Sequence, residues 1–206
     1  ELDDLSGNGN NATMYGTVPY ITDGVGCLSF AGATGLASTS TLGFTFASNM
    51  IPRSGNYTFS TWIKNPPVST AQTGLFSNSG SGDGYRLGMT QSSIYVLCGM
   101  PYAENHISYT STFNNAQWNN VVVVFDRIGV ISGTPAVYGY LNGVLQGNIA
   151  LPSPQMISTT ATPGLVRSAC CGVWTGELAI FSAYKGHLTA SQILQNYVAL
   201  KGRFGL

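Results

Sequence analysis

Charge is what this sequence has least of. Eight Lys+Arg stand against eight Asp+Glu in 206 residues, a charged fraction of 8 % with zero formal net charge, where an average soluble domain is about one quarter charged. Without a basic excess there is nothing to neutralise phosphates, which excludes nucleic acid as a partner bound by charge. No cluster of Lys and Arg is present to meet an anionic membrane. Long apolar runs are absent too: Val121 to Phe125 is the longest of note, far short of a membrane-spanning helix, so membrane insertion is not expected. Disorder is excluded by an aromatic fraction of 11 % and a mean hydropathy of +0.14, which give the chain apolar surface to bury. The four cysteines, Cys27, Cys98, Cys170 and Cys171, contain no C-x-x-C pair, and His106 and His187 are not at ligand spacing, so no zinc site is written here. Their even count permits three pairings as well as free thiols, and both readings stay open. No signal-like segment opens the chain. The start at Glu1 rather than Met suggests a processed chain or a domain cut from something longer.

What the sequence does have is strand after strand between turn signals. Asn56 to Lys64 alternates, with Tyr57, Phe59, Thr61 and Ile63 facing one way and Thr58, Ser60, Trp62 and Lys64 the other. Aromatics fall on both faces, so neither side is simply solvent. Gly84 to Met89 and Ser93 to Cys98 read as two more strands. Asn120 to Asp126 is apolar on both faces and predicts a central, doubly buried strand. Ala136 to Gly147 reads as a hairpin closed by Asn142-Gly143, both of which tolerate positive φ. Ser77 to Gly84 predicts a flexible loop, and Leu151 to Pro163 a longer ordered one. One helix is predicted, at the end. Thr189 as N-cap and Gln192 at N3 make a capping box. Ile193, Leu194, Tyr197 and Leu200 share a face, and Gly202 stops the helix. The expected fold is all-β: an antiparallel β-sandwich of jelly-roll type with one short C-terminal helix, as a single domain over residues 1–206.

These segments carry a family resemblance. The opening Asp4-Leu5-Ser6-Gly7-Asn8-Gly9-Asn10-Asn11 resembles the start of laminin-G-like jelly rolls of the concanavalin A-like lectin/glucanase superfamily. Tyr57-Thr58-Phe59-Ser60-Thr61-Trp62-Ile63, the Trp118 strand, Tyr140-Leu141-Asn142-Gly143, Gly176-Glu177-Leu178-Ala179-Ile180-Phe181 and Leu188-Thr189-Ala190-Ser191-Gln192-Ile193 resemble later signatures of that family, in the same order. The tail from Leu188 to Leu206 is similar to the ends of such domains in structural proteins of tailed bacteriophages. The resemblance implies a jelly-roll fold. It leaves function open, since the superfamily holds glycan binders, glycanases and architectural modules.

The residue inventory narrows that choice. A retaining glycanase needs two carboxyls about 5–5.5 Å apart, which the glucanase branch sets close together on one strand. Here the glutamates are Glu1, Glu104 and Glu177 only, with no such cluster beyond the Glu1/Asp3 terminus. A nucleophile elbow and a phosphate-cradling loop are both absent. A non-enzymatic protein is therefore expected. A sugar site needs an aromatic face and groups that orient hydroxyls. Tyr85 beside the Gly-rich loop, the cluster Tyr102, Glu104, Asn105 and His106, and Trp174 are the candidates, and core or loop packing is the competing reading that each must beat. The opening loop offers Asp4, Asn8 and Asn10, and the resemblance adds Glu177, as oxygen ligands of a structural calcium. The alternative is that Asp4 and Ser6 hold a tight turn. Asn11 and Asn56 head glycosylation sequons, which a bacterial or phage setting leaves unmodified.

The expectation is a non-enzymatic virion surface module of a bacteriophage, a capsid decoration, tail or fibre domain that meets virion neighbours or host and environmental glycans. The alternatives are a secreted or cell-surface carbohydrate-binding module, or a self-assembling structural subunit. A chain this neutral can associate closely with copies of itself, so an oligomer or part of an assembly is expected, on the virion or the extracellular surface.

Overall fold

Alternation at a period of two residues builds both layers of this protein. The structure, a computed structural model, describes residues 3–22, 24–33, 42–46, 55–64, 73–77, 85–90, 92–98, 103–108, 113–114, 116–151, 162–166 and 172–206; at Tyr85, Leu97, Cys98, Ala103, Glu104 and Asn105 the backbone alone is described. The strands are β1 (Thr13–Tyr15), β2 (Tyr20–Ile21), β3 (Cys27–Ser29), β4 (Gly43–Thr45), β5 (Tyr57–Lys64), β6 (Thr73–Ser77), β7 (Tyr85–Met89), β8 (Ser93–Cys98), β9 (Ala103–Ser108), β10 (Asn119–Asp126), β11 (Ala136–Leu141), β12 (Val144–Ala150), β13 (Gly164–Leu165), β14 (Gly172–Val173) and β15 (Glu177–Lys185). Helix α1 (Ala190–Lys201) follows and tightens into a 3₁₀ turn over Gly202–Phe204.

Two sheets face each other, as the sequence predicts. One runs β12-β11-β10-β5-β15-β3-β2; the other runs β1-β4-β13-β6-β7-β8-β9, with β14 added on β6. The described pairings are antiparallel except β14 on β6. Between the sheets, Tyr57 stacks on Phe125 at 4.4 Å and Phe59 meets Phe76 of the opposite sheet at 4.7 Å. The inward side chains of β10, Val121, Val123 and Phe125, join this core.

The outward side chains of the same strands are buried too. Val122, Val124, Tyr138 and Tyr140 pack around Ile193 of α1. Trp62 lies parallel to Phe204 with ring centroids 3.9 Å apart, and Trp118 meets the same ring at 5.2 Å. Helix α1 thus covers the outer face of the seven-stranded sheet. Its start is the predicted capping box: the Gln192 N–H donates to Thr189 Oγ1 at 3.3 Å, and the Thr189 N–H donates to Gln192 Oε1 at 2.9 Å. The packing face differs in one residue from the expected set. Ile193 is buried and Tyr197 and Leu200 half-buried, but Leu194 is 48 % exposed. One residue beyond Ile193 turns it about 100° round the helix, to the margin beside the Asn142-Gly143 turn. That turn is as predicted, with φ +52 and +79; a Cβ on Gly143 would lie 3.1 Å from Leu194 Cδ1.

The sequon residue Asn56 has a structural task. Its Oδ1 accepts the Arg127 and Ile128 N–H groups, and its Nδ2 donates to buried Asp126, whose carboxylate also takes the Val130 and Ile131 N–H groups. The β10–β11 connection is pinned by this hub. Cys27 is a buried free thiol, pushed up in pKa first by burial and then by Glu177, with Lys64 opposing. Cys170, Cys171 and the Cys98 side chain lie outside the described residues, as do most of the two predicted loops, 78–84 and 152–161.

Removing the Phe204 ring should expose the sheet face it covers. Phe204→Ala is expected to cost about 3 kcal/mol, a fall in Tm of roughly 6–12 °C for a chain of this size, read by thermal circular dichroism. An unchanged Tm would mean that the tail does not hold the sheet.

Candidate functional site

The second sheet leaves its outer face free of any described helix, and β7, β8 and β9 decide what stands there. Their register sets up rows across the three strands. Leu87, Val96 and Asn105 form one row, and Leu87 and Val96 point into the core. The flanking rows have the opposite parity: Arg86, Leu97 and Glu104 on one side, Gly88, Tyr95 and His106 on the other. Strand alternation therefore divides the predicted Glu104-Asn105-His106 cluster. Positions 104 and 106 share the outer face, and position 105 falls in the row of core residues. Tyr85 falls in the row of Cys98 and Ala103, again at core parity. Tyr102 lies outside the described residues.

His106 is exposed and held from behind. Its Nδ1 is 3.1 Å from Ser93 Oγ, and Ser93 Oγ is 2.7 Å from Thr90 Oγ1, which accepts the Ser92 N–H at 3.3 Å. The imidazole lies 5.8 Å from the Tyr95 ring. Tyr95 is 0 % exposed although it stands on the outer face. Gly88 makes room for it: a Cβ there would come within 2.5 Å of the ring. Tyr95 thus supports His106 and offers no free face of its own. Ser93 is buried, so its hydroxyl orients the imidazole and is out of reach as a nucleophile. Alternation in Ser93–Cys98 hints that Ser93 and Tyr95 share a face, but only the register with β9 brings them to His106.

Trp174 corrects the sequence reading. It is 0 % exposed, packed edge-on against Phe30 at 5.9 Å within the main core, so its ring cannot stack on a sugar. The indole follows β14 and precedes β15, and it turns inward between them. Its Nε1–H finds no acceptor among the described residues.

The opening loop is organised by Asp4. Oδ1 accepts the Ser6 N–H at 2.9 Å, and Oδ2 accepts the Asn10 N–H at 2.9 Å and Asn10 Nδ2 at 3.2 Å. Asn8 Nδ2 donates to Ser6 Oγ at 2.7 Å. The Ser6 side chain first, then the Asn10 and Ser6 N–H groups, hold the Asp4 carboxyl down to about 2 from 3.8. Glu177 stands on β15, 3.9 Å from Lys64 Nζ. Both Asp4 oxygens already face N–H donors, which is the arrangement of a tight turn. The described residues contain no group of three or more His, Cys, Asp or Glu able to hold a metal.

Residues 38–194 match the family model described as the concanavalin A-like lectin/glucanases superfamily. The chain belongs to this superfamily. Domain 4 of AbnA, a GH43 extracellular arabinanase from Geobacillus stearothermophilus, solved in complex with arabinotriose, is similar over 95 % of this chain and 92 % of its own, at 18 % identity and a TM-score of 0.71. The binding domain of Paraclostridial Mosquitocidal Protein 1 matches at 13 % identity and a TM-score of 0.74 over 95 % of this chain and 49 % of its own. A chain of botulinum neurotoxin type C, whose passage into cells is dependent upon interaction with two ganglioside molecules, matches at 16 % identity and a TM-score of 0.73 over 96 % of this chain and 48 % of its own. This superfamily member spans about half the length of those two toxin chains. At such identities the likeness is one of fold. No curated protein sequence matches the chain.

Two outcomes follow. Trp174→Ala should cost about 3–5 kcal/mol of stability as a core truncation and leave glycan binding of the folded fraction unchanged, as denaturant titration and glycan binding on one preparation would show. Because the Asp4 pKa is depressed, the stability that it lends is present above 3.8 and lost as pH falls through about 2. The Ser6 and Asn10 amide NMR shifts should titrate with that midpoint, and a midpoint near 3.8 would refute the assignment.

Proposed function

We propose that this chain is a non-enzymatic carbohydrate-recognition module whose working surface is the outer face of β7–β9. The carrying observation is His106, an exposed imidazole locked by Ser93 and Thr90 on a sheet face that no described helix covers. Polar groups fixed in orientation before the ligand arrives are what hydroxyl recognition requires. Membership of a superfamily of lectins and glucanases supports the reading, as does the likeness to an arabinanase domain seen with arabinotriose. Against catalysis stands the use of three of the eight acidic residues: Asp126 is buried in the β10–β11 hub, Asp4 holds its turn, and Glu177 faces Lys64.

A second reading, a subunit packed in a surface assembly, draws on exposed aliphatic side chains. Ile128, Val130 and Ile131 stand on the β10–β11 connection, and Val144, Leu194 and Val198 gather where β12 meets α1. A virion or extracellular setting suits either reading. The likeness to domain ends in structural proteins of tailed bacteriophages rests on Leu188 to Leu206, where capping by Thr189 and Gln192 and packing by Ile193 and Phe204 account for much of the pattern.

A glycan array with the wild type and His106→Ala separates these readings. The module reading expects carbohydrate hits that weaken about tenfold, the size of one lost hydrogen bond, in a variant of unchanged Tm. Blank arrays with a concentration-dependent increase in sedimentation coefficient would give the chain to the assembly reading instead.

A further inference from the structure

Two asparagines of this chain are followed by glycine, Asn8 and Asn142. That pairing has a chemistry of its own. The amide nitrogen of the glycine can attack the side-chain carbonyl carbon of the asparagine before it. A residue without Cβ neither shields that nitrogen nor limits the backbone rotation that brings it there. A C–N bond forms, the glycine N–H proton passes to Nδ2, and Nδ2 leaves as ammonia. Water then opens the five-membered succinimide at one carbonyl or the other, its hydroxyl going to the carbon and its proton to the ring nitrogen. The product is aspartate or isoaspartate. Water is the one co-reactant, and nothing is oxidised or reduced.

The fold treats the two sites differently. Asn142 is half-buried and anchored. Its Oδ1 accepts the Asn120 N–H at 2.8 Å, its Nδ2 donates to Asn119 Oδ1 at 3.4 Å, and its own N–H donates to the Asn120 carbonyl at 2.8 Å. Gly143 is hemmed in by α1: a Cβ there would stand 3.1 Å from Leu194 Cδ1 and 3.2 Å from Tyr197 Cδ1. To bring Gly143 N onto Asn142 Cγ, the hairpin must give up these contacts. Asn8 and Gly9 are both exposed, and a Cβ on Gly9 would meet nothing within 4 Å. Asn8 Nδ2 donates to Ser6 Oγ at 2.7 Å, in a loop whose other side-chain bonds run among Asp4, Ser6, Asn10 and Asn11. Opening such a loop is a local event.

We infer that Asn8 is a site of spontaneous modification, converted by water to a carboxylate, and that the β11–β12 hairpin protects Asn142 from the same reaction. The change at Asn8 reaches the opening turn. Nδ2 is a donor, and a carboxylate in its place only accepts. The Ser6 side chain, the leading cause that holds the Asp4 carboxyl down, then has two carboxylates to serve. The new one also meets Asp4 as a like charge. Conversion therefore loosens the turn, and it adds a negative charge to a chain whose formal net charge is zero.

Incubating the whole chain in mildly alkaline buffer, then mapping its peptides by mass spectrometry with isoaspartate detection, tests the site. Asn8 should convert at least about tenfold faster than Asn142, the size of one further hydrogen bond to be broken. In denaturant the two rates should converge, because what protects Asn142 is the fold. Equal rates in the native chain, or no conversion at Asn8, would overturn the site. An Asn142 that stays slow in denaturant would overturn its protection by the hairpin. Asn8→Asp carries the product carboxylate from the start. In that variant the Ser6 and Asn10 amide shifts should titrate with a midpoint moved up from about 2 toward 3.8, and an unmoved midpoint would overturn the effect on the turn.

Discussion

The fold depends on one constraint: the central strands of one sheet are apolar on both faces. Strand β10 sends Val121, Val123 and Phe125 inward and Val122 and Val124 outward, and all of its residues are buried. Strand β5 beside it does the same with Phe59 and Trp62. A half-solvated sheet cannot be built from such strands. Something must lie on the outside, and the chain ends in an element suited to do so, a capped helix whose apolar stripe is continued by Phe204. The parallel stack of Trp62 on Phe204 buries large areas of two aromatic rings in a single contact. The tie of Arg203 Nη2 to the Val25 carbonyl at 2.7 Å holds the last turn to the same sheet.

Covering one sheet makes the two faces of the sandwich unequal. The seven-stranded sheet carries the helix on its outer side, and no described helix lies on the outer side of its partner. There the same alternation that builds the core sorts residues by parity, placing His106 outward and Asn105 in a core row. Ser93, buried beside the ring, gives an exposed imidazole the order of an interior one. Pre-ordering of this kind lowers the entropy that the side chain loses in a later contact.

The fold was legible because each of its signals is local. Alternation in Asn56–Lys64, the doubly apolar Asn120–Asp126, the Asn142-Gly143 turn and the Thr189–Gln192 cap all act within a few residues, and all appear as predicted. The site was legible only in part, because it is a matter of register. Nothing in the segment containing Glu104, Asn105 and His106 says which of these residues face outward until β9 is aligned on β8. The Ser93–His106 bond joins residues 13 apart that no motif links. Of the two readings open for Trp174, packing and sugar stacking, the burial fits packing, and it follows from β14 pairing with β6, a parallel contact between distant segments. Asp4 illustrates the converse: its hydrogen bonds stay within its own loop, and the tight turn could be named from the sequence beside the calcium alternative.

The scarcity of charge acquires a physical sense from these placements. Several of the few ionic groups are committed to structure: Asp4 to its turn, Asp126 to the β10–β11 hub, Glu177 and Lys64 to each other, Arg203 to a backbone carbonyl. With zero net charge, the long-range field that steers ions to a surface is weak. Recognition by such a surface must then come from hydrogen bonds at contact range, where direction matters more than charge. A surface poor in charge and rich in Ser, Thr and Asn is consistent with a partner that is itself uncharged, because neither side must give up a strongly held hydration shell on contact.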